Sequence, residues 1–499
     1  MNDPPLAAFE EIIGASGAAP RIEAMLPIGV RSRQLLVRTL LLGIMITLAD
    51  HRPAHLTRVH QALVSLPAGD QRRLGVIADW RRGPHLLTYR QTERTFALVA
   101  GALGNDDPDG LPSSALQRIC DDLLEASVPD QYKDASTSLA ADWTDVESFS
   151  RPPPHDASAG DCADPEAAWG HRTVTLPGPE GELFFGYYGS AAIMTRDENG
   201  PPVPELARRF TLSSCRQDPV RAFAPVLTAM PAAGIPLGDV LADSGYAHRD
   251  PAAWAIPLRA AGASLVQDLH PHDRGPKGTH HGAIIANGNL YCPAAPRSLL
   301  DLGPLAPGAE DTAAHDAKTA EVARYKLGRL TSDDADGYHR VQCPAVLGKI
   351  RCPLRPASMT LERNRPEVLT PPEQPQACCT QQSITVTPDI AAKTRQKHDY
   401  PSQAHRRSYA RRTAAERGFS GIKDTAGNDI ARGWCRLMGL APLALFTTTL
   451  FIVRNQHAAT TWNTRQQDKA RRAAAGLPPR TRRRRRRTLT TLTAGAGPP

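Results

Sequence analysis

The sequence predicts an α/β protein. A mixed sheet with flanking helices forms its centre, an all-α N-terminal domain precedes the sheet, and a loop- and strand-rich insertion interrupts it. Up to about residue 130, apolar residues recur at three- and four-residue spacing, which is typical of amphipathic helices. Beyond residue 137, short apolar stretches alternate with turn residues and then with helical patterns, as in a sheet covered by helices. The 45 Pro and 38 Gly among 499 residues indicate many turns and exclude a long coiled coil.

Residues 1–130 are predicted to form the helical N-terminal domain, and residues 137–270 the first part of the sheet. The expected N-terminal helices are Gln34–Leu48, His55–Leu66, Arg90–Leu103 and Ser114–Leu124. The expected strands are Ser138–Ala141, Thr173–Leu176, Leu183–Tyr188, Ala191–Thr195, Phe210–Ser213, Val240–Ala242 and Ser264–Asp268. Helical patterns at Val220–Met230 and Pro251–Ala261 precede the last two strands.

Residues 271–395 have few long apolar runs and are rich in Pro, Cys and His, which predicts an insertion of short strands and loops. Helical patterns return in residues 396–458, at Ser408–Ile422 and Ile430–Asn455, which we assign to the second part of the central domain. The uncharged run Leu437–Val453 is at the short limit for crossing roughly 30 Å of hydrocarbon. We therefore expect a buried core helix there rather than a membrane span.

The formal net charge of +8 is unevenly distributed. Residues 401–499 contain 20 Lys and Arg against 4 Asp and Glu, a net of +16, so the first 400 residues carry −8. A basic end on an acidic body is typical of nucleic-acid binders. Residues 459–499 are predicted to be a basic tail that is disordered when free, because like charges at that density cannot pack. Its six consecutive arginines are expected to contact DNA phosphates: Arg482, Arg483, Arg484, Arg485, Arg486 and Arg487.

The nine cysteines are odd in number and scattered, which argues against a disulfide framework and for a reducing cytoplasm. The N-terminus lacks the charged and apolar regions of a secretory signal. We therefore expect a cytoplasmic, nucleoid-associated protein without a membrane partner. Five cysteines lie in the insertion, but without a Cys-x2-Cys pair, so buried free thiols are favoured there over a structural zinc site. These five are Cys292, Cys343, Cys352, Cys378 and Cys379.

Two aspartates follow predicted strands. Asp142 comes directly after Ser-Leu-Ala-Ala, and Asp243 after Val-Leu-Ala with Ser-Gly-Tyr behind it. An acid that ends a strand just before a glycine lies at the edge of the sheet, where carboxylates of adjacent strands can converge. Taken singly, either aspartate is more typical of a turn or a helix cap.

A third acid lies in the helical pattern that follows the insertion. Tyr409, Arg412, Glu416 and Lys423 are separated by two, three and six residues. On a helix Arg412 and Glu416 are one turn apart, and Lys423 lies two turns farther on the same face. Such a face suits a metal-binding carboxylate beside a phosphate backbone, although an Arg–Glu surface pair is the plainer alternative.

The Y-(2)-R-(3)-E-(6)-K spacing resembles the signature around the third catalytic acid in a large group of DDE transposases of bacterial insertion sequences. Asp243-Ser-Gly-Tyr246 is similar to that group's second motif, Asp-x-Gly-Phe/Tyr, and Asp142-Trp-Thr144 looks like its first, Asp-x-Thr. The resemblance covers roughly residues 137–270 and 400–455. The third motif is its specific part.

The resemblance implies a ribonuclease H-like catalytic core. Asp142, Asp243 and Glu416 would be the catalytic ligands of two Mg²⁺ ions, with Mn²⁺ as an alternative, and Tyr409, Arg412 and Lys423 would contact DNA. Two divalent ions suit in-line displacement at phosphorus, because one activates the attacking oxygen and the other steadies the leaving oxygen. The chain would cut DNA at the ends of its element and join the 3′-hydroxyls to target DNA. Its N-terminal domain would recognise the inverted repeats, and it would act as a dimer or larger assembly on double-stranded DNA.

Three alternatives stay open. Asp145, three residues after Asp142, could be the first ligand instead, although Asp142 directly follows the predicted strand. The chain could also be a catalytically inactive, transposase-derived DNA-binding protein, or a metal-dependent nuclease that only hydrolyses. The 173-residue separation of Asp243 and Glu416 is too long for one crossover, which places an insertion between them.

Overall fold

The computed structural model describes residues 6–28, 33–80, 83–104, 109–154, 162–172, 182–305, 312–424 and 430–480. Its N-terminal region is largely helical, as predicted, but it also contains a hairpin. The elements are α1 (Leu6–Ser16), α2 (Ala18–Met25), α3 (Val37–Ala49), α4 (Leu56–Val64), α5 (Ala68–Arg73), β1 (Ile77–Trp80), β2 (Gly83–Leu86), α6 (Tyr89–Leu103), α7 (Ser114–Ala126) and α8 (Asp130–Lys133). The prediction of an all-α domain is therefore wrong for Ile77–Trp80 and Gly83–Leu86, where β1 and β2 pair antiparallel.

A six-stranded mixed sheet forms the centre. Its elements in chain order are β3 (Leu139–Glu147), β4 (Ala168–Arg172), β5 (Glu182–Met194), β6 (Ala207–Ser214), α9 (Pro219–Thr228), β7 (Asp239–Ala242), α10 (Ser244–Ala247), α11 (Ala255–Ala260) and β8 (Ser264–Gln267). The strand order is β4-β5-β3-β7-β8, and β6 also pairs with β5. β5 is antiparallel to its neighbours, whereas β7 and β8 run parallel to β3. The α/β class and the mixed sheet with flanking helices are confirmed.

Several strand predictions differ from the structure in their bounds. The stretches predicted at Leu183–Tyr188 and Ala191–Thr195 form one long strand, β5, because Gly189 and Ser190 between them pair in register with β3. β3 does not end before Asp142 but continues to Glu147. The strand predicted at Thr173–Leu176 lies outside the described residues.

Each face of the sheet borders its own apolar core. Ala140, Ala191 and Ile193 belong to the core shared with the N-terminal helices, whereas their neighbours Leu139 and Ala192 belong to the core with α9 and α11. This division follows from the two-residue alternation of side chains along a strand. The N-terminal helices are therefore packed on the sheet rather than linked to it as a separate unit.

The insertion contains two small antiparallel sheets. Its elements are β9 (Pro276–His280), β10 (Ala283–Ala286), β11 (Asn289–Tyr291), α12 (Arg297–Leu300), α13 (Thr312–Tyr325), β12 (Gly328–Arg329), β13 (His339–Gln342), α14 (Ala377–Thr380) and β14 (Ile384–Val386). The strand orders are β11-β10-β9 and β12-β13-β14. Short strands and loops agree with the prediction, but the 14-residue helix α13 was not anticipated.

Three helices complete the central domain: α15 (Gln403–Tyr409), α16 (Thr413–Ile422) and α17 (Leu440–Ala474). A 3-10 turn at Ala410–Arg412 divides the helix predicted at Ser408–Ile422. The first half of α17 is buried against α3, α6, α7 and β6. This packing accounts for the uncharged run as core, and no helix among the described residues is long and apolar enough to cross a membrane.

The predicted disordered tail begins too early. Helix α17 extends to Ala474. Its second half has charged and polar side chains in place of apolar ones, but it contains no Pro or Gly that would end the helix. The prediction of disorder is therefore wrong for residues 459–474. The six arginines, Arg482 to Arg487, lie outside the described residues.

An ion pair buried beneath the 3-10 turn holds α15 and α16 on the sheet. Arg411 Nη2 lies 2.6 Å from Asp239 Oδ2, and the two side chains are 3% and 6% exposed. Arg411 also donates to the carbonyl of Arg196 and to Ser408, so its guanidinium is well satisfied. Lys397 is a second partner of Asp239, at 2.8 Å.

We expect Arg411→Met to lower the free energy of unfolding by about 3 kcal/mol, because it leaves the buried Asp239 carboxylate with Lys397 alone. Urea titration followed by far-ultraviolet circular dichroism measures the change. Arg407→Met, at an exposed position on α15, is the control and should stay within about 0.5 kcal/mol of the parent. Equal stability of the two variants would contradict an anchoring role for Arg411.

Candidate functional site

The register of β3 and β7 brings the first two predicted acids together. Leu139 pairs with Val240 and Ala140 with Leu241 in a parallel ladder. Continued by two residues, the same register sets Asp142 beside Asp243 with both side chains on one face. Burial and the charge of Asp243 raise the pKa of Asp142 to about 6. The charge of Asp243 thus acts on the neighbouring Asp142 carboxyl.

Local geometry explains why Asp243 is followed by Ser-Gly-Tyr. The Asp243 carboxylate caps α10 by accepting from the backbone N–H groups of Gly245, at 2.9 Å, and Tyr246, at 3.3 Å. A Cβ on Gly245 would lie 2.5 Å from the ring of Trp143, so only glycine fits there. The Tyr246 ring is fully buried between Trp143 and Trp254, with centroid distances of 4.6 Å to each.

Glu416 reaches the two aspartates through Arg412. The Arg412 guanidinium lies 3.1 Å from Asp142 Oδ2 and 2.6 Å from Glu416 Oε1. Burial alone would lower the pKa of Arg412, but the nearby Tyr409 and then the charges of the three acids outweigh burial and raise it. Arg412 is thus a shared counter-ion of the three acids.

Close packing of α16 fixes the position of Glu416 over the sheet. α16 contacts β3 and β5, and a Cβ on Gly418 would lie 2.7 Å from a side-chain carbon of Ile193. Gly418 therefore permits the close approach. Glu416 itself is 54% exposed and remains accessible from solvent.

The three carboxylates converge but do not already form a compact cage. In the described part of the chain, one set of three metal-ligating side chains has all its ligand atoms within 4.8 Å, and it is His248, His270 and Asp273. The Arg412 guanidinium lies between the carboxylates of Asp142 and Glu416. The donor set is nevertheless three carboxylates, one of them with a raised pKa, which suits Mg²⁺ or Mn²⁺ once the guanidinium moves aside.

Asp145 has different partners from Asp142. Its carboxylate lies 3.0 Å from Lys423 Nζ and 2.9 Å from Arg172 Nη2. Burial alone would raise its pKa, but Lys423 and Arg172 outweigh burial and lower it. Three residues apart on one strand, Asp142 and Asp145 point to opposite faces. Of the two, Asp142 is the one placed beside Asp243.

The residues predicted to contact DNA are engaged within the protein. Arg412 lies over the Tyr409 ring, 5.9 Å from its centroid, and Tyr409 stacks on His405 at 5.7 Å. Burial raises the pKa of Tyr409 well above its usual range. Lys423 pairs with Asp145. All three side chains thus lie near the acids, and each already has a partner within the protein.

The sequence reasoning missed a basic groove beside α16. Arg196, Arg407 and Arg417 line it together with Trp462. Arg417 pairs with Glu205 at its rim. Arg417 directly follows Glu416, so the run of basic residues around the third motif was an available signal. The sequence reasoning also missed Arg411, which immediately precedes Arg412.

All nine cysteines are free thiols. The five in the insertion are buried, and burial is the main cause that raises the pKa of Cys292 to about 12. Among the residues described, no three of their sulfurs lie within 4.8 Å of one another. The described sulfur positions are therefore too widely spaced for a preformed tetrahedral zinc site.

Comparison of the chain with family models, with curated proteins and with solved structures gives no match.

We expect Asp142→Asn to stabilise the metal-free protein at pH 7.5 by about 2 kcal/mol. The pKa of Asp142 in the folded chain, about 6, lies above the ordinary value of 3.8, so its ionisation costs stability as pH rises through that interval. The gain should shrink between pH 6 and pH 4 as the parent carboxyl takes up its proton. Thermal unfolding in chelator across this range measures it, and a less stable Asp142→Asn protein at pH 7.5 would contradict the crowded-carboxylate interpretation.

Proposed function

We propose that the chain is a DDE-type transposase of a bacterial insertion sequence. It would cut DNA at the ends of its element and join the freed 3′-hydroxyls to target DNA. The observation that carries the proposal is the convergence of Asp142, Asp243 and Glu416 on Arg412. These acids lie 101 and 173 residues apart along the chain, and the sequence motifs singled them out without reference to their positions in space.

The fold supports a ribonuclease H-like core. The first acid lies on a central strand, the second directly follows the adjacent parallel strand, and the third lies on a helix that packs on the same sheet. Three strands, β4, β5 and β6, follow β3, and β7 and β8 then run parallel to β3 with helical segments before each. The register of β3 with β7 supports a position of the second acid beside the first. A long insertion between β8 and α15 is compatible with this core, because it leaves the strand order intact.

Asp142, Asp243 and Glu416 would hold two Mg²⁺ or Mn²⁺ ions, which when bound supply activation of the attacking oxygen and charge for the leaving oxygen. The protein's own groups prepare that state. Asp142 is mostly ionised at neutral pH despite its burial, and Arg412 partly neutralises Asp142 and Glu416. Released from Asp142 and Glu416, the Arg412 side chain would then be available to a DNA phosphate.

The remaining basic surfaces would position DNA. The groove of Arg196, Arg407 and Arg417 lies next to Glu416 and could follow a phosphate backbone, with Trp462 available for stacking. The N-terminal helices would recognise inverted-repeat ends, the basic tail would hold DNA non-specifically, and the chain would assemble as a dimer or larger on paired ends. Such a protein would work in the cytoplasm at the nucleoid.

One observation favours a second candidate, a transposase-derived DNA-binding protein without activity. Arg412 already satisfies Asp142 and Glu416, so the acids have a structural partner without any metal ion. The two candidates differ in the fate of Arg412. In an active enzyme divalent cations displace it, whereas in an inactive relic the ion pairs persist.

We expect Asp142→Asn, Asp243→Asn and Glu416→Gln each to reduce joining of pre-cut element ends to plasmid DNA by about 10³-fold or more, without loss of DNA binding. The flanking DNA of the gene supplies the ends, and gel electrophoresis of the products in Mg²⁺ measures joining. Asp145→Asn is the matched control and should retain most of the activity. Cutting without joining by the parent protein would favour a hydrolytic nuclease, and binding alone would favour the inactive relic.

We expect deletion of residues 481–499 to weaken non-specific DNA binding at low salt and to flatten its salt dependence. Six arginine–phosphate contacts contribute about 5 to the slope of log K against log salt concentration. Fluorescence anisotropy of a labelled duplex over a KCl series measures the slope. Deletion of residues 488–499 alone, which spares the arginines, is the control, and an unchanged slope in the longer deletion would disprove tail binding.

A further inference from the structure

A second cluster of ligating side chains lies apart from the three acids. His248 Nδ1 is 2.8 Å from Asp273 Oδ2, and the rings of His248 and His270 are tilted by 30° with centroids 4.0 Å apart. One ligand atom from each of His248, His270 and Asp273 lies within 4.8 Å of the others. Asp273 is mostly buried, at 14% exposed, whereas His248 is 43% exposed.

The chain brings these residues together from two loops at one edge of the sheet. His248 ends α10, which follows β7, and His270 and Asp273 follow β8. Since β7 and β8 are adjacent and parallel, their carboxyl ends meet at the same edge. The cluster therefore occupies a fixed place in the fold, beside the edge that carries Asp243.

A cation already lies within the cluster. Lys393 Nζ is 2.8 Å from Asp273 Oδ1 and 3.4 Å from His248 Nδ1, so it lies between two of the three candidate ligands. Lys393 lies near the end of the insertion, and its side chain is 28% exposed. Its ammonium is therefore the group that an incoming ion would have to displace.

We propose that His248, His270 and Asp273 bind a divalent ion of the zinc class. Two imidazoles and one carboxylate are a donor set that suits Zn²⁺ and not Mg²⁺, which prefers oxygen ligands alone. Ligands bonded to zinc at about 2.0–2.1 Å lie roughly 3.4 Å apart, so modest rotations of these side chains close the site. Three protein ligands leave the fourth position to water.

The bound ion has a structural consequence. It joins the loop after β7 to the loop after β8, at the point where the insertion begins. It also replaces the ion pair that Lys393, near the end of the insertion, makes with Asp273. The ion thereby braces the loop that follows Asp243 without belonging to the carboxylate site. The proposal does not depend on transposition, because it rests on ligand positions alone.

Zinc content of the full-length protein tests the proposal. Protein stripped with chelator, incubated with Zn²⁺ and passed through gel filtration is analysed by plasma mass spectrometry. We expect His270→Ala and Asp273→Asn each to hold one zinc per chain fewer than the parent. His281→Ala is the control, since His281 and its neighbour His280 form another adjacent histidine pair without a carboxylate in the set, and its zinc content should not change. Comparison with the parent cancels any zinc held by the insertion's thiols.

A further variant retains every proposed ligand. Lys393→Met removes the competing ammonium and should tighten zinc binding about tenfold, measured by isothermal titration. Equal zinc content in the parent and both ligand variants would overturn the proposal. Unchanged or weaker zinc binding by Lys393→Met would overturn it as well, even if His270→Ala failed to fold.

Discussion

A buried ion pair between Arg411 and Asp239 joins the helix that carries Glu416 to the strand that leads to Asp243. The 125-residue insertion separates these elements along the chain, so local sequence does not hold them together. Removing two charges from water is costly, and the pair persists because its remaining hydrogen bonds are satisfied by Ser408 and the carbonyl of Arg196. With this anchor in place, α16 can lie on β3 and β5 and present Glu416 above the two aspartates.

Neighbouring Arg412 has the opposite character. It pairs with Asp142 and Glu416, and burial together with the charge of Asp243 raises the pKa of Asp142 to about 6. Such crowding of carboxylates is costly to the stability of the folded chain, and in the proposed enzyme it would favour the binding of divalent ions. The two adjacent arginines therefore have different roles. Arg411 anchors the 3-10 turn on the sheet, whereas Arg412 lies between the carboxylates of the candidate site. Lys393 has a comparable place among His248, His270 and Asp273.

Much of the sheet and of the candidate site followed from the sequence, since period-two and helical patterns locate elements and the motif spacing identified Asp142, Asp243 and Glu416. The patterns could not fix strand ends. β3 runs through Asp142 to Glu147 because pairing with β5 outweighs the polar residues there. The choice between Asp142 and Asp145 needed the register with β7. The His248 cluster escaped notice because adjacency of β7 and β8, not sequence spacing, brings its members together.

Diffraction from Mn²⁺-soaked crystals tests the central claim most directly, since anomalous scattering locates each manganese ion without reference to activity. The account predicts two manganese peaks in contact with the carboxylates of Asp142, Asp243 and Glu416, and a guanidinium of Arg412 displaced from Asp142. Crystals that bind manganese elsewhere, with Arg412 still bridging Asp142 and Glu416, would contradict it.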